Sequence, residues 1–125
     1  MSRTQLPLFA PESQWSPTPV GDLPHWTGAR RVGIDVETKD PQLKELGPGV
    51  RRPDSYLVGF SIAIEDGPKH YVPIRHEGGD NVDAEQALGY LREEAKRFQG
   101  YVVGANLGYD LDWLAEEGVR FRQCK

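Results

Sequence analysis

The feature that most constrains the fold is an alternating run over residues 30–38. β-Branched residues at three positions alternate with small or acidic residues: Val32, Ile34 and Val36 against Gly33, Asp35 and Glu37. Because successive side chains of a strand point to opposite faces of a sheet, this pattern predicts a strand with one buried and one polar face. The two acidic side chains then leave the same face.

Two further apolar runs follow, over residues 55–65 and 69–74. The short turn sequence between them, residues 66–68, contains glycine and proline and fits an antiparallel hairpin. The first three strands are therefore expected to form a meander. The segment between the first two strands, residues 39–54, is rich in proline and glycine and is predicted to be a long loop.

A helix and a further strand–helix unit are predicted after the meander. Asp83 can cap a helix whose apolar residues recur at helical spacing as far as Phe98. Residues 101–105 predict a fourth strand, residues 109–117 a second helix, and residues 119–122 the start of a fifth strand. The order of three strands, helix, strand and helix indicates an α/β fold.

Residues 1–28 contain several prolines and little hydrophobic periodicity, which predicts an extended N-terminal arm. Trp15 and Trp26 are candidate anchors. An arm of this kind lies more often across its own domain than against a partner. Residues 29–125 then form the folded domain.

Composition limits the functions that the chain can have. Its 125 residues are enough for one domain with a hydrophobic core. The single cysteine, Cys124, cannot form an internal disulfide, which favours a reducing compartment and a cytoplasmic location. The apolar runs are too short to cross a membrane. The net charge of -4 gives no broad attraction to phosphate, so nucleic-acid binding would need metal ions or an adjoining domain.

Asp35 and Glu37 are the first candidate functional residues. Two carboxylates on one face repel each other unless a cation neutralises them, and carboxylate oxygens suit Mg²⁺ or Mn²⁺. As an isolated triplet, Asp-x-Glu fits a solvated strand face better than a functional site. The position of the triplet at a strand end, before a long loop, brings the functional interpretation level with it.

Asp110 is the third candidate, near the start of the second predicted helix. There it fits either helix capping and macrodipole compensation or a catalytic role, and Asn106 has the same two interpretations. Asp112 lies about 200° around the helix from Asp110 and is predicted to be a surface residue.

The segments Asp35-Val36-Glu37-Thr38 and Asn106-Leu107-Gly108-Tyr109-Asp110-Leu111 resemble the first and second exonuclease motifs of the DEDD proofreading exonucleases. The resemblance covers residues 29–122 and is closest to the 3′-to-5′ exonuclease domain of family A DNA polymerases, including bacteriophage ones. It implies a ribonuclease H-like fold with a mixed sheet and hydrolysis at single-stranded DNA 3′ ends. It further implies that the remainder of a polymerase is a partner, in the host cytoplasm if the source is a bacteriophage.

The resemblance also implies roles for individual residues. The catalytic and metal-binding positions, which hold two Mg²⁺ or Mn²⁺ ions in the complete family site, match Asp35, Glu37 and Asp110. The positions near the substrate match Thr38, Asn106 and Tyr109. From the sequence alone, Tyr109 fits either a base-stacking residue or a core residue.

The third motif of the family, Tyr-x-x-x-Asp or His-x-x-x-Asp, has no counterpart in the sequence. The exonuclease domain is therefore expected to be incomplete at its C-terminus, with little or no activity by itself, because a missing ligand weakens metal binding and geometry. Two alternatives stay open. One is an RNA-trimming exonuclease of the same superfamily, and the other is a catalytically silent ribonuclease H-like module that binds nucleic acid or serves as a scaffold.

Overall fold

The structure, a computed structural model, describes residues 15–47 and 49–121. The strands are β1 (Arg31–Lys39), β2 (Tyr56–Ile64), β3 (Lys69–Pro73) and β4 (Tyr101–Val103). The helices are α1 (Leu43–Leu46), α2 (Ala84–Arg97) and α3 (Leu107–Glu116), and one 3₁₀ turn, Val20–Asp22, precedes β1. The greater part of the predicted arm, residues 1–14, lies outside the described residues, as do residues 122–125.

The four strands form one mixed sheet in the order β3-β2-β1-β4. β1 pairs antiparallel with β2, and β2 antiparallel with β3, so the predicted meander is confirmed. β4 returns after α2 to pair parallel with β1. The α/β class and the order of meander, helix, strand and helix are therefore as predicted.

The pairing of β1 with β2 contains a bulge at the end of β1. Pairing is regular up to Glu37, which lies opposite Gly59. The next pair is Thr38 with Leu57, so Val58 is an extra residue on β2. The carbonyl of Val58 accepts two backbone hydrogen bonds from just after β3, at 2.9 and 3.0 Å, so the irregularity leaves this group satisfied.

The core lies on one face of the sheet. Val32, Ile34 and Val36 are buried there, as the alternation predicts, and both long helices contribute buried residues to the same cluster. The opposite, polar face carries a shallow hollow of about 230 Å³, and every residue that lines it belongs to a strand or directly follows one. The helices of the described region therefore cover one face of the sheet.

The last part of the predicted arm is fixed to α2. Trp26 is fully buried, and Leu23 is buried with it. Glu94 of α2 accepts hydrogen bonds from the backbone N–H of Trp26 at 2.9 Å and from His25 Nδ1 at 2.8 Å. The indole N–H of Trp26 donates to the hydroxyl of Tyr90 at 2.9 Å. These contacts join the segment before β1 to the domain.

Local predictions differ from the structure in several places, and β4 ends at Val103 instead of residue 105. The loop over residues 39–54 contains the short helix α1, which has no buried residue and so leaves no hydrophobic periodicity in the sequence. α3 begins slightly earlier than predicted, at Leu107. Residues 119–121 form no strand, because the N–H of Val119 bonds back to the carbonyl of Leu114 at 2.9 Å. Among the described helices, none is sufficiently long and apolar to cross a membrane.

Candidate functional site

Asp35 and Glu37 occupy the polar face of β1 near its C-terminal end. Both residues are exposed, while Val36 between them is buried in the core. The strand therefore presents its two acidic side chains on one side and anchors itself through the other. This is the arrangement that the alternation of the sequence predicts.

Asp110 reaches the same strand from α3. It lies in the first turn of α3, and only 2% of its surface is exposed. Its Oδ1 atom accepts a hydrogen bond from the backbone N–H of Val36 at 3.4 Å. The carboxylate thus contacts the strand between the two other acids, rather than capping its own helix. Asp110 therefore does not cap α3, while its place in the first turn still fits macrodipole compensation.

The second oxygen of Asp110, Oδ2, is buried and has no hydrogen-bond partner among the described residues. Gly104 makes room for it: a Cβ atom at that position would lie 3.3 Å from Oδ2 and 2.8 Å from the carbonyl oxygen of Ile34. Buried polar atoms are nearly always paired, so an unpaired carboxylate oxygen points to a ligand at this position.

The electrostatic environment of Asp110 also favours a cation. Burial raises the pKa of Asp110, the hydrogen bond from the Val36 N–H lowers it, and the charge of Asp35 raises it, with a net increase. A divalent cation beside Asp35 and Asp110 would offset both the burial of charge and the repulsion. The oxygen ligands present are those that Mg²⁺ and Mn²⁺ prefer.

The three predicted metal ligands are not assembled as one cluster. Within residues 15–47 and 49–121, no group of three or more His, Cys, Asp or Glu side chains is close enough to hold a metal ion. Asp35 and Asp110 interact with each other, whereas the charge of Glu37 acts on Tyr71 of β3. Asp112 is exposed, as predicted. The ligand types and the Asp35–Asp110 pair fit a divalent ion, and Glu37 stands beside this pair.

Two of the predicted substrate residues contact each other. The hydroxyl groups of Thr38 and Tyr109 are hydrogen-bonded at 2.8 Å, which links the end of β1 to the first turn of α3. Tyr109 is half-buried, with its ring centroid 6.1 Å from that of Trp113. Asn106 is exposed at the N-cap position of α3, and its side chain makes no capping bond. All three lie at the edge where Asp110 meets β1.

Sequence reasoning missed Tyr71, which lies on the polar face beside Glu37, and His76, which contacts it. The hydroxyl of Tyr71 is hydrogen-bonded to His76 Nε2. Burial, followed by the charge of Glu37, raises the pKa of Tyr71. The available signal was Gly59: a glycine inside an apolar strand often marks the close approach of another group, and here that group is the Tyr71 hydroxyl.

The chain matches no protein-family model, but it is similar to a known polymerase. A DNA-directed DNA polymerase of Pseudomonas phage M6 is 55% identical over 127 aligned positions that take in the whole chain. The chain spans 19% of the length of that polymerase. Over its full length, the chain is therefore related to one part of a phage DNA polymerase.

Proposed function

We propose that the chain is the metal-dependent 3′-to-5′ exonuclease module of a DNA polymerase, acting on single-stranded DNA 3′ ends. The observation that carries this proposal is the placement of Asp110. Its buried carboxylate meets β1 between Asp35 and Glu37 and leaves one oxygen without a partner. Buried carboxylates with a purely structural role normally have both of their oxygens paired.

Two further findings support the proposal. The mixed sheet, with an antiparallel meander and a parallel fourth strand, is compatible with a ribonuclease H-like fold. The similarity to a phage DNA polymerase supplies a context in which removal of a 3′-terminal nucleotide is useful. Neither finding identifies the reaction, which must come from the site itself.

In this proposal Asp35, Glu37 and Asp110 hold Mg²⁺ or Mn²⁺. Such ions, when bound, supply Lewis acidity toward the phosphate and an activated water at neutral pH. The protein's own contribution is to fix the carboxylates on β1 and α3. The Thr38–Tyr109 pair and Asn106 lie along the same edge, where they would contact the terminal nucleotide.

A second candidate is a catalytically silent module that binds nucleic acid or serves as a scaffold. The observation in its favour is that the described residues contain no metal-binding group of three side chains. Two-metal chemistry needs ligands held in one geometry, and a pair of aspartates with a neighbouring glutamate supplies this only in part.

Metal-dependent stability tests the proposed site without requiring turnover. The melting temperature of the chain should rise as Mn²⁺ is titrated, because an ion that binds only the folded state stabilises it. Asp110→Asn should abolish the increase. Asp112→Asn is the matched control, since it makes the same change at an exposed position of the same helix and should retain the increase. If the melting temperatures of the unaltered chain and of both variants rise equally with Mn²⁺, the ion does not bind at Asp110.

Nuclease assays separate the candidate functions. Mononucleotide release from a 3′-labelled single strand would be measured in Mn²⁺, for this chain and for a longer form of the polymerase. Release by the longer form that Asp110→Asn abolishes supports the exonuclease. If neither this chain nor the longer form releases mononucleotides although metal is bound, the silent module is favoured. RNA and DNA strands compared in the same assay distinguish an RNA-trimming enzyme from a DNA exonuclease.

A further inference from the structure

Tyr71 of β3 lies in the same cross-strand row as Asp35. Tyr71 is paired with Ser61 of β2, and Ser61 is paired with Asp35 of β1. Residues opposite each other in neighbouring strands share one face of the sheet. Tyr71 therefore stands on the polar face that carries the acidic residues.

The hydroxyl of Tyr71 leans out of this row toward Glu37. It lies over Gly59, where a Cβ atom would collide with it and would also lie 2.9 Å from the carbonyl oxygen of Val72. Gly59 is the residue directly opposite Glu37. The Tyr71 hydroxyl thus fills the space that a side chain at position 59 would take, beside Glu37.

His76 is held against this hydroxyl. Its Nε2 atom and the Tyr71 hydroxyl are hydrogen-bonded, and the two rings lie edge to face with centroids 5.6 Å apart. The side chain of Asn81 accepts from the backbone N–H of His76 at 2.8 Å and donates to its carbonyl at 2.9 Å. His76 is exposed but positioned, because its backbone is fixed on both sides.

Counting hydrogens shows what the Tyr71–His76 pair can do. A tyrosine hydroxyl and a neutral imidazole each carry one polar hydrogen, and their mutual bond uses one of the two. The other remains on the Tyr71 hydroxyl if His76 donates, or on His76 Nδ1 if Tyr71 donates. Either way, the pair keeps one donor for a group outside it.

The acidic side chains nearest this donor are negatively charged, so a phosphate on this face would depend on it. A nucleic acid strand that approaches Asp35 and Glu37 is repelled by them, so donors at the rim are needed to hold its phosphates. The two cations of β1 are already paired, Arg31 with Glu65 and Lys39 with Glu77, each at 2.8 Å. The Tyr71–His76 pair lies on the polar face, whereas the Thr38–Tyr109 pair joins β1 to α3.

We propose that Tyr71 and His76 form a second substrate-binding edge, at which this pair donates a hydrogen bond to a phosphate oxygen of the single strand beside the scissile bond. The inference rests on the proposed exonuclease function and adds a contact to it. It assigns the pair to positioning of the strand and not to the chemical step.

Binding of a short fluorescein-labelled single strand tests this contact directly. Anisotropy would be measured for the complete chain with Ca²⁺ as the divalent ion. Tyr71→Phe and His76→Ala should each raise the Kd about tenfold, the size expected for one hydrogen bond to a charged acceptor. His76→Gln, which keeps a polar side chain at position 76, should recover part of the loss. Tyr101→Phe, a matched change at the other end of the sheet, should leave the Kd unchanged.

A series of strands identifies the contacted group. Each strand carries one uncharged methylphosphonate at a different linkage. At the contacted linkage, the modification should raise the Kd of the unaltered chain but leave the Kd of Tyr71→Phe unchanged. If the modification raises the Kd of both proteins by the same factor at every linkage, Tyr71 does not contact a phosphate. Melting curves of each variant exclude unfolding as the cause.

The failures of the two proposals are distinguishable. If the unaltered chain binds the strand and both Tyr71→Phe and His76→Ala bind equally well, the second edge is wrong while the exonuclease proposal stands. If the unaltered chain binds none of the strands in the presence of the divalent ion, the second edge and the substrate assignment fall together.

Discussion

Burial of Asp110 beside Asp35 gives this chain a specific dependence of stability on pH. Because its pKa is raised in the folded state, folded Asp110 holds its proton more tightly than the unfolded chain does. Its contribution is most favourable below the unfolded pKa of about 3.9 and is lost as the pH rises through the folded pKa. Asp110→Asn removes this titration.

We therefore expect the free energy of unfolding of the unaltered chain to fall, relative to that of Asp110→Asn, as the pH rises above about 4. Urea unfolding at a series of pH values, with EDTA to remove divalent ions, measures the difference. Titrating groups that do not interact with Asp110 are common to both proteins and cancel. If the free energies of unfolding of the two proteins change in parallel with pH, ionisation of Asp110 does not destabilise the folded state, and the prediction is wrong.

Tyr90 is a second residue with a measurable contribution, because its hydroxyl joins the segment before β1 to α2. It accepts from the indole N–H of Trp26 at 2.9 Å and donates to the carbonyl of Pro24 at 2.6 Å. Tyr90→Phe leaves both groups without this partner, so stability should fall by about 1–3 kcal/mol. Urea unfolding measures the loss. An unchanged free energy of unfolding would contradict the assignment.

At the level of single residues, the sequence predicts which side chains are chemically suited to a site but not all of those that meet there. Asp35 and Glu37 follow from strand alternation. The bond from the Val36 N–H to Asp110 spans 74 positions and depends on how α3 is seated on the sheet. The position of the Tyr71 hydroxyl is harder still to predict, because it occupies space that is free only since residue 59 is glycine.

At the level of elements, long amphipathic segments were predictable and short local ones were not. α2 follows from its apolar spacing and from Asp83, whose carboxylate accepts from the Gln86 N–H at 2.9 Å. α1 was missed because it buries nothing, and the start of α3 was placed late. Tertiary contacts and local hydrogen bonds determine such boundaries, and a hydrophobic pattern predicts neither of them.

The turn between β4 and α3 gives an element-scale prediction. Gly104→Ala would place a Cβ atom 2.8 Å from the Ile34 carbonyl and 3.3 Å from Asp110 Oδ2, so we expect a loss of about 1–3 kcal/mol. Gly89→Ala is the matched control, because nothing lies within 4 Å of a Cβ atom there and the residue is inside α2. Gly89→Ala should stabilise by about 0.5–1 kcal/mol. Urea unfolding measures both, and a tolerated Gly104→Ala would contradict the close packing.

At the level of the whole molecule, the described sheet has one face covered by helices and an edge strand on each side, β3 and β4. β4 pairs with β1 alone, and its Tyr101 and Val103 are 48% and 44% exposed. An open edge with apolar side chains is a template for pairing with a second strand. This arrangement predicts association of the isolated chain with itself.

We expect light scattering to show an apparent mass that rises with protein concentration for the unaltered chain. Val103→Lys should reduce the increase, because a charged side chain on an edge strand opposes pairing. Lys69→Arg, which keeps the charge on the same face, is the control and should behave as the unaltered chain does. A concentration-independent mass for the unaltered chain would show that this edge does not associate.

Val58, the extra residue on β2, separates two stretches of pairing along β1, and the two stretches have different roles. Before it, regular pairing with β2 holds Asp35 and Glu37 at a fixed height on the sheet. Beyond it, Thr38 pairs with Leu57 in a shifted register, and its hydroxyl is hydrogen-bonded to that of Tyr109. A substitution or insertion at Val58 can therefore change the pairing of Thr38 without moving Asp35 and Glu37. Related proteins should accordingly vary more in length at this position than within the stretch that carries the two acids.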